Sequence, residues 1–157
     1  KAVLSALLSK INISTCLEIG MGSYSTPLLI WECKDVCSIE KNHEWYDKVV
    51  EMYGAKRNWH PVLSDTDIQY NRFDLVFVDG ERFERAAYVN RALEMGVPIV
   101  ILHDSELVEY YHLNLIDVPD TYDRFDFHHT TGKQTTVFTN EYADIISKLK
   151  PIDHTLC

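Results

Sequence analysis

Basic side chains are scarce in this chain: 15 Lys and Arg stand against 24 Asp and Glu, a formal charge of −9 over 157 residues. Nucleic-acid binding draws most of its affinity from cations that neutralise phosphates, so no nucleic-acid partner is expected. Long apolar runs are missing as well. None approaches the roughly 20 residues that span a bilayer, and no basic stretch followed by an apolar one opens the sequence, so no membrane partner is expected. The first residue is Lys1, which leaves open an upstream region or a removed leader. Cysteine occurs only at positions 16, 33, 37 and 157, without the C-x-x-C pairing of a zinc site. Cys16 lies in an apolar run, so the expectation is buried free thiols in a reducing, cytoplasmic setting. A Cys33–Cys37 pairing belongs to an oxidising compartment and conflicts with their expected places at a helix end and in a strand. Repeats, low-complexity tracts and linkers are also lacking, so residues 1–157 read as one domain, with 46% hydrophobic and 25% charged residues as in a globular protein.

What is present is an alternation of strand and helix patterns. A helix over about 2–10 precedes strands at 15–20 and 36–40, with a helix at 27–33 between them. Asn42 caps a further helix, whose stripe of Trp45, Val49, Met52 and Tyr53 ends at Gly54. Strands follow at 60–64, with Pro61 near the start, and at 74–79. A helix over 82–95 is closed by Gly96 and Pro98 before a strand at 99–103. A short helix is expected at 106–112, a β-hairpin from 122–128 and 134–139, and a last helix over 141–150. The fold class is therefore α/β: a Rossmann-like, doubly wound, mostly parallel seven-stranded sheet with a C-terminal antiparallel hairpin and helices on both faces.

The most informative segment is Cys16-Leu17-Glu18-Ile19-Gly20-Met21-Gly22-Ser23-Tyr24-Ser25-Thr26-Pro27, an apolar strand that ends on two close glycines and then starts a helix. Gly20 and Gly22 let the backbone turn and be approached where a Cβ would forbid it, and Thr26-Pro27 reads as a helix cap followed by proline at the first helical position. Glu40 ends the second strand, where an open parallel sheet places a group that grips ribose hydroxyls; Asp79 ends a third strand at the same edge. Ligands of such sheets bind outside the carboxyl ends of the strands, so the three ends converge on one crevice.

These residues resemble the class I S-adenosylmethionine-dependent methyltransferases. The resemblance rests on Glu18-x-Gly20-x-Gly22, Ser25-Thr26, Glu40 and Asp79-Gly80 in that order, and Gly22-x-x-Ser25-Thr26, Val78-Asp79-Gly80 and Leu102-His103-Asp104 are similar to small stand-alone members acting on small molecules or sugars. It implies S-adenosylmethionine as cofactor, with Glu18, Gly20, Met21, Gly22, Ser25, Thr26, Glu40, Lys41, Asp65 and Asp79 around it. Within that set Glu18 serves the methionine end, Glu40 both ribose hydroxyls and Asp65 the adenine; Glu18 also has a structural reading, as an acid capping nearby amides. Many members carry a third glycine where this chain has Tyr24, so either the loop is shaped differently or Tyr24 covers part of the cofactor.

The catalytic candidates are Asp79, His103 and Asp104, each able to orient an acceptor hydroxyl or amine or to take its proton. No metal is expected. Asp79 and Asp104, at adjacent strand ends, are the pair that would hold Mg²⁺, but related metal-dependent enzymes show Asp-Asn where this chain has Asp104-Ser105. Arg82 and Arg85 read as the solvated first turn of a helix, and Tyr110, Tyr111 and His112 as packing or as a wall of the acceptor pocket. The expected activity is methyl transfer to an oxygen or nitrogen of a small-molecule acceptor, with homo-oligomerisation left open. Three rival readings remain: an NAD-dependent oxidoreductase of Rossmann type, which wants a glycine where Ser25 stands, a non-catalytic S-adenosylmethionine-binding module, and a nucleic-acid methyltransferase, which calls for a basic stripe beside the crevice.

Overall fold

The computed structural model describes residues 2–64 and 68–150. Its elements run α1 (Ala2–Leu8), β1 (Thr15–Ile19), α2 (Ser25–Glu32), β2 (Asp35–Ile39), α3 (His43–Tyr53), β3 (Trp59–Val62), β4 (Leu75–Val78), α4 (Arg85–Glu94), β5 (Ile99–His103), β6 (Asp123–His128), β7 (Gln134–Thr139) and α5 (Ala143–Ile146), with 3₁₀ turns at Tyr70–Arg72 and Leu113–Leu115. The seven strands form one sheet in the order β3-β2-β1-β4-β5-β7-β6. The first five are parallel, and β7 inserts antiparallel between β5 and β6. The expected doubly wound sheet with its terminal hairpin is thus the observed one.

Strand alternation divides the core into two layers. Cys16, Val36, Leu75, Phe77, Ile99 and Ile101 face α1, α2 and α3, while Leu17, Ile19, Ile39, Val76, Val78, Val100 and Leu102 face α4. Both faces of β4 are buried, which is why Leu75-Val76-Phe77-Val78 is a continuous apolar run rather than an alternating one. Each such side chain contributes roughly 1.5–3 kcal/mol relative to exposure.

Several boundaries differ from expectation for identifiable reasons. The α2 helix starts at Ser25, and Thr26 does not cap it, because its hydroxyl is engaged elsewhere; Tyr24 holds the cap position without a side-chain bond. Asn42 does cap α3, its Oδ1 accepting the Trp45 N–H at 3.0 Å. The β3 strand covers Trp59–Val62, with Pro61 inside it rather than at its start. Among the described residues it pairs with β2 alone, and an edge strand tolerates the missing N–H. The α1 helix stops at Leu8, and α4 begins at Arg85, three residues later than the sequence suggests. Residues 106–112 form turns ending at His112, whose φ is +53°, instead of a helix, and α5 is a single turn. Among the described residues no helix lies between β3 and β4, only the turn at Tyr70–Arg72.

Candidate active site

Strand register sets the geometry of the site. Ile19 pairs with Ile39 on one side and Val78 on the other, and Val78 pairs with Leu102. The next residue in each strand therefore falls in one row across the carboxyl edge of the sheet: Glu40, Gly20, Asp79, His103. With neighbouring strands about 4.8 Å apart, the row is about 14 Å long. Side-chain alternation puts Glu40, Asp79 and His103 on the face that α1–α3 cover, together with Glu18 and Ser38 one step back in β1 and β2.

Gly20 turns the chain out of β1 with φ +86°, and a Cβ there would lie 2.6 Å from the Asp79 carbonyl oxygen and from the Gly80 Cα. Only glycine fits both the left-handed conformation and the close approach to β4. Gly22 is less constrained, since its Cβ would meet only the Ser25 hydroxyl, at 2.5 Å. The loop amides are already satisfied: Gly20 N–H donates to Ile39 O, Met21 N–H to Glu40 Oε2 and Gly22 N–H to Thr26 Oγ1. The Trp45 indole N–H donates to Met21 O at 2.7 Å and the Tyr53 hydroxyl to Ser23 O at 2.8 Å, so α3 pins the loop from outside. Among the described residues no donor reaches the Gly20 carbonyl.

Beneath the loop, Glu18 is completely enclosed. Thr26 Oγ1 donates to its carboxylate at 2.9–3.0 Å and Ser38 Oγ at 2.7 Å; Ser38 in turn accepts from the Trp59 indole at 3.0 Å. Burial pushes the Glu18 carboxyl up to about 7, against the lowering pull of hydrogen bonds from Ser25, Ser38 and Thr26, and the nearby charge of Asp79 adds to the rise. In this structure Glu18 holds α2 and β2 together through side-chain hydroxyls rather than by capping backbone amides. Ser25 and Thr26 are buried with it and face the acid rather than solvent.

Glu40 is at the surface of the crevice but mostly covered, at 9% exposure. One oxygen accepts the Met21 N–H at 3.2 Å and the other the Asn42 N–H at 2.9 Å. A carboxylate has about four lone-pair sites, so each oxygen keeps capacity for a ligand hydroxyl. Lys41 turns away from the loop. Its ammonium lies 2.8 and 2.9 Å from the two Glu84 oxygens and 5.5 Å from the centre of the Tyr88 ring; the Glu84 bond, followed by that of the Tyr88 hydroxyl, raises its pKa above the usual lysine range. Asp65, expected near adenine, lies outside the described residues.

At the other end of the row, Asp79, His103 and Asp104 converge. His103 Nδ1 is 3.4 Å from Asp79 Oδ1 and 3.3 Å from Asp104 Oδ1, and it is buried there without an aligned hydrogen bond. A nitrogen facing two carboxylates is best served by carrying the proton, which leaves Nε2 as the acceptor. Nε2 has no partner among the described residues and is not enclosed. Asp104 sits at φ +54° with Lys133 Nζ 3.2 Å from its Oδ1, and Lys133 also reaches Glu106 at 3.3 Å. Ligand atoms of Asp79, His103 and Asp104 all fall within 4.8 Å of one another. The set does not suit Mg²⁺, which wants oxygen donors: one donor is an imidazole, and each carboxylate already has a fixed cation beside it, Arg85 for Asp79 and Lys133 for Asp104.

A cavity of about 280 Å³ opens at the Asp79–His103 end of this row, lined by Leu4, Gly22, Tyr24, Phe77, Asp79 and His103 among others. The Tyr24 hydroxyl stands 3.3 Å from Ser5 Oγ, tying the loop to α1 where many class I members have glycine. A larger groove of about 750 Å³ between α1 and α5 lies off the strand ends and carries no acid–histidine pair.

The sheet order, with an antiparallel seventh strand beside a parallel five-stranded half, matches solved structures over most of the chain. An N-methyltransferase, NodS from Bradyrhizobium japonicum WM9, superposes with TM-score 0.64 at 16% identity over 88% of this chain and 92% of that one. This chain has the class I methyltransferase fold. The NodS complex with S-adenosylhomocysteine gives TM-score 0.65 at 15% identity over 88% of this chain and 84% of that one. An rRNA methylase from Streptococcus thermophilus gives 0.59 at 11% identity, covering 86% and 92% of the two chains. The tRNA (m1A58) methyltransferase TrmI from Aquifex aeolicus gives 0.62 at 18%, covering 88% and 66%. No family model and no curated protein matches the sequence. Among the described residues no helix is long and apolar enough to cross a membrane.

Four residues matter to this methyltransferase-fold site beyond those read from the sequence. Ser38 could have been found, since it is the residue opposite Glu18 in a parallel register and the polar interruption of an apolar strand. Trp45 was read as one of a packing stripe, and its indole N–H is what reaches the loop. Lys133 comes from the hairpin turn and carries no local signal. Arg85 corrects the expectation of a solvated helix turn: it is 5% exposed and bonded to both strand ends. Its neighbours in that turn do remain outside, Arg82 lying 3.9 Å over the Tyr110 ring.

Proposed function

We propose that the chain is an S-adenosylmethionine-dependent methyltransferase acting on an oxygen or nitrogen of a small acceptor. The observation that carries this reading is the row Glu40–Gly20–Asp79–His103, which places a carboxylate with spare acceptor capacity at one end and an acid–histidine pair at the other. Spare acceptor capacity suits a cationic ligand, and the Gly20 carbonyl and the remaining lone pairs of Glu40 supply it. Glu40 would hold the ribose diol and the Gly20 carbonyl the amino group. When bound, the cofactor supplies an activated methyl on a sulfonium sulfur. The chain's own contribution is to align the acceptor beside Asp79 and to accept its proton on His103 Nε2, whose opposite nitrogen is fixed by two carboxylates. A displacement of this kind gains chiefly from position and exclusion of water, and the 280 Å³ cavity walled by Leu4, Phe77 and Tyr24 supports a small acceptor. The charge of −9 favours the same choice over RNA, although structural neighbours act on both kinds of substrate. An antiparallel β7 within the sheet weighs against the dinucleotide-dependent alternative.

Calorimetric titration with S-adenosylhomocysteine tests the proposal. The expected outcome is saturable binding that weakens at least about tenfold in Glu40→Ala, the loss of one or two charge-assisted hydrogen bonds. Absence of binding to the wild type, or an unchanged affinity in the variant, would overturn it.

A further inference from the structure

Arg85 is the most fully engaged side chain near the row. Its Nε donates to Gly80 O at 2.8 Å, Nη1 to His103 O at 2.7 Å, and Nη2 to Asp79 Oδ1 at 3.0 Å and Asp79 O at 3.3 Å. The Tyr111 ring covers the guanidinium at 3.9 Å from its centroid. The last residues that pair between β4 and β5 are Val78 and Leu102; Asp79 N–H donates to Ile19 O and His103 pairs with Thr135 of β7, so the two are not paired with each other. The guanidinium fills the gap. It grips the main chain of both strand ends and, through the same Nη2, the carboxylate that faces His103 Nδ1.

We propose that Arg85 is a positioning residue that fixes Asp79 against His103 and thereby holds the imidazole in its Nδ1–H tautomer, with Nε2 turned to the acceptor. A lysine cannot replace it, because a single ammonium cannot reach four acceptors laid out along a planar fork. The use of Nε2 as a base rests on the methyltransferase reading above; the tautomer does not, and it is measured without cofactor or acceptor.

The test is long-range ¹H–¹⁵N correlation of the histidine rings in the labelled full chain, with His103 assigned from His103→Gln. Wild type should show one dominant Nδ1–H signature. In Arg85→Lys and Arg85→Gln that population should fall at least about twofold toward the mixture of a free imidazole, and Asp79→Asn should reproduce the change. A purely structural arginine would lower the melting temperature and leave the His103 signature as in wild type. That result in either Arg85 variant would overturn the proposal, as would a dominant Nε2–H form in the wild type. Should Arg85→Gln fail to fold, Arg85→Lys, which keeps a cation beside Asp79, carries the test alone. S-adenosylhomocysteine binding by the wild type, measured in parallel, reports on the methyltransferase reading separately.

Discussion

Replacing Glu18 by Gln should change how stability depends on pH, and the size of the change follows from the burial of this acid. Its carboxyl is raised from the ordinary 4.5 to about 7 in the folded chain. Between those two values the folded protein holds a proton that the unfolded chain releases, so the contribution is fully present below pH 4.5 and is lost as pH rises through 7. The amount lost is about 3 kcal/mol, from about 1.4 kcal/mol per pH unit. Gln does not titrate. Its carbonyl oxygen and N–H group take the places of the carbonyl and O–H of the protonated acid, so against the neutral form the bonds with Thr26 and Ser38 change little. The variant should therefore lie close to wild type at pH 5 and gain on it by about 2–3 kcal/mol by pH 8. Urea unfolding of both proteins at pH 5, 6, 7 and 8 measures this, and titrations common to both cancel in the difference. Parallel stability curves would show that Glu18 is not held neutral by its enclosure, and the account of the loop's foundation would fail with it.

Gly20→Ala should lower the melting temperature by at least about 5 °C, because φ +86° and a Cβ at 2.6 Å from the β4 main chain both oppose it. Gly132→Ala, at φ +82° with nothing within 4 Å, should cost only about 1–2 kcal/mol; equal effects on thermal unfolding would refute the close approach as the reason for Gly20. Glu84→Gln breaks the 2.8 Å pair with Lys41, whose side chains are 33% and 38% exposed, and should change unfolding free energy by less than about 1 kcal/mol.

The sheet was legible because its strands carry period-two or continuous apolar patterns and its connections carry strong punctuation: Asn42 before α3, Gly54 after it, Gly96 and Pro98 before β5. The row of candidate residues was legible for the same reason, since Gly20, Glu40 and Asp79 each interrupt an apolar run at its carboxyl end. What could not be read was where polar side chains find partners at long range. Thr26 before Pro27 has the local chemistry of a cap, yet Glu18, eight residues back, competes for its hydroxyl and wins, because an enclosed carboxylate without donors costs more than a missing cap. The 106–112 segment has helix-compatible residues, but Glu106 is drawn to the Gln134 amide and Lys133, which fixes the chain in turns.

Arg85 shows the same limit from the opposite side. In Glu81-Arg82-Phe83-Glu84-Arg85 the alternating charges look like a solvated turn, and local pattern cannot distinguish its two arginines. Geometry does. Arg82 lies outside, stacked on exposed aromatics, while Arg85 opens the helix that packs against β4 and β5 and so reaches the carbonyls of Asp79, Gly80 and His103 at the ends of those strands. Buried carbonyls without donors are costly, and a buried guanidinium without acceptors is costlier, so each accounts for the other's place. The acid that completes the guanidinium's set is Asp79, and its remaining neighbour is His103. A demand of packing at the ends of two strands is thus met by a residue whose spare hydrogen bond reaches the chemistry.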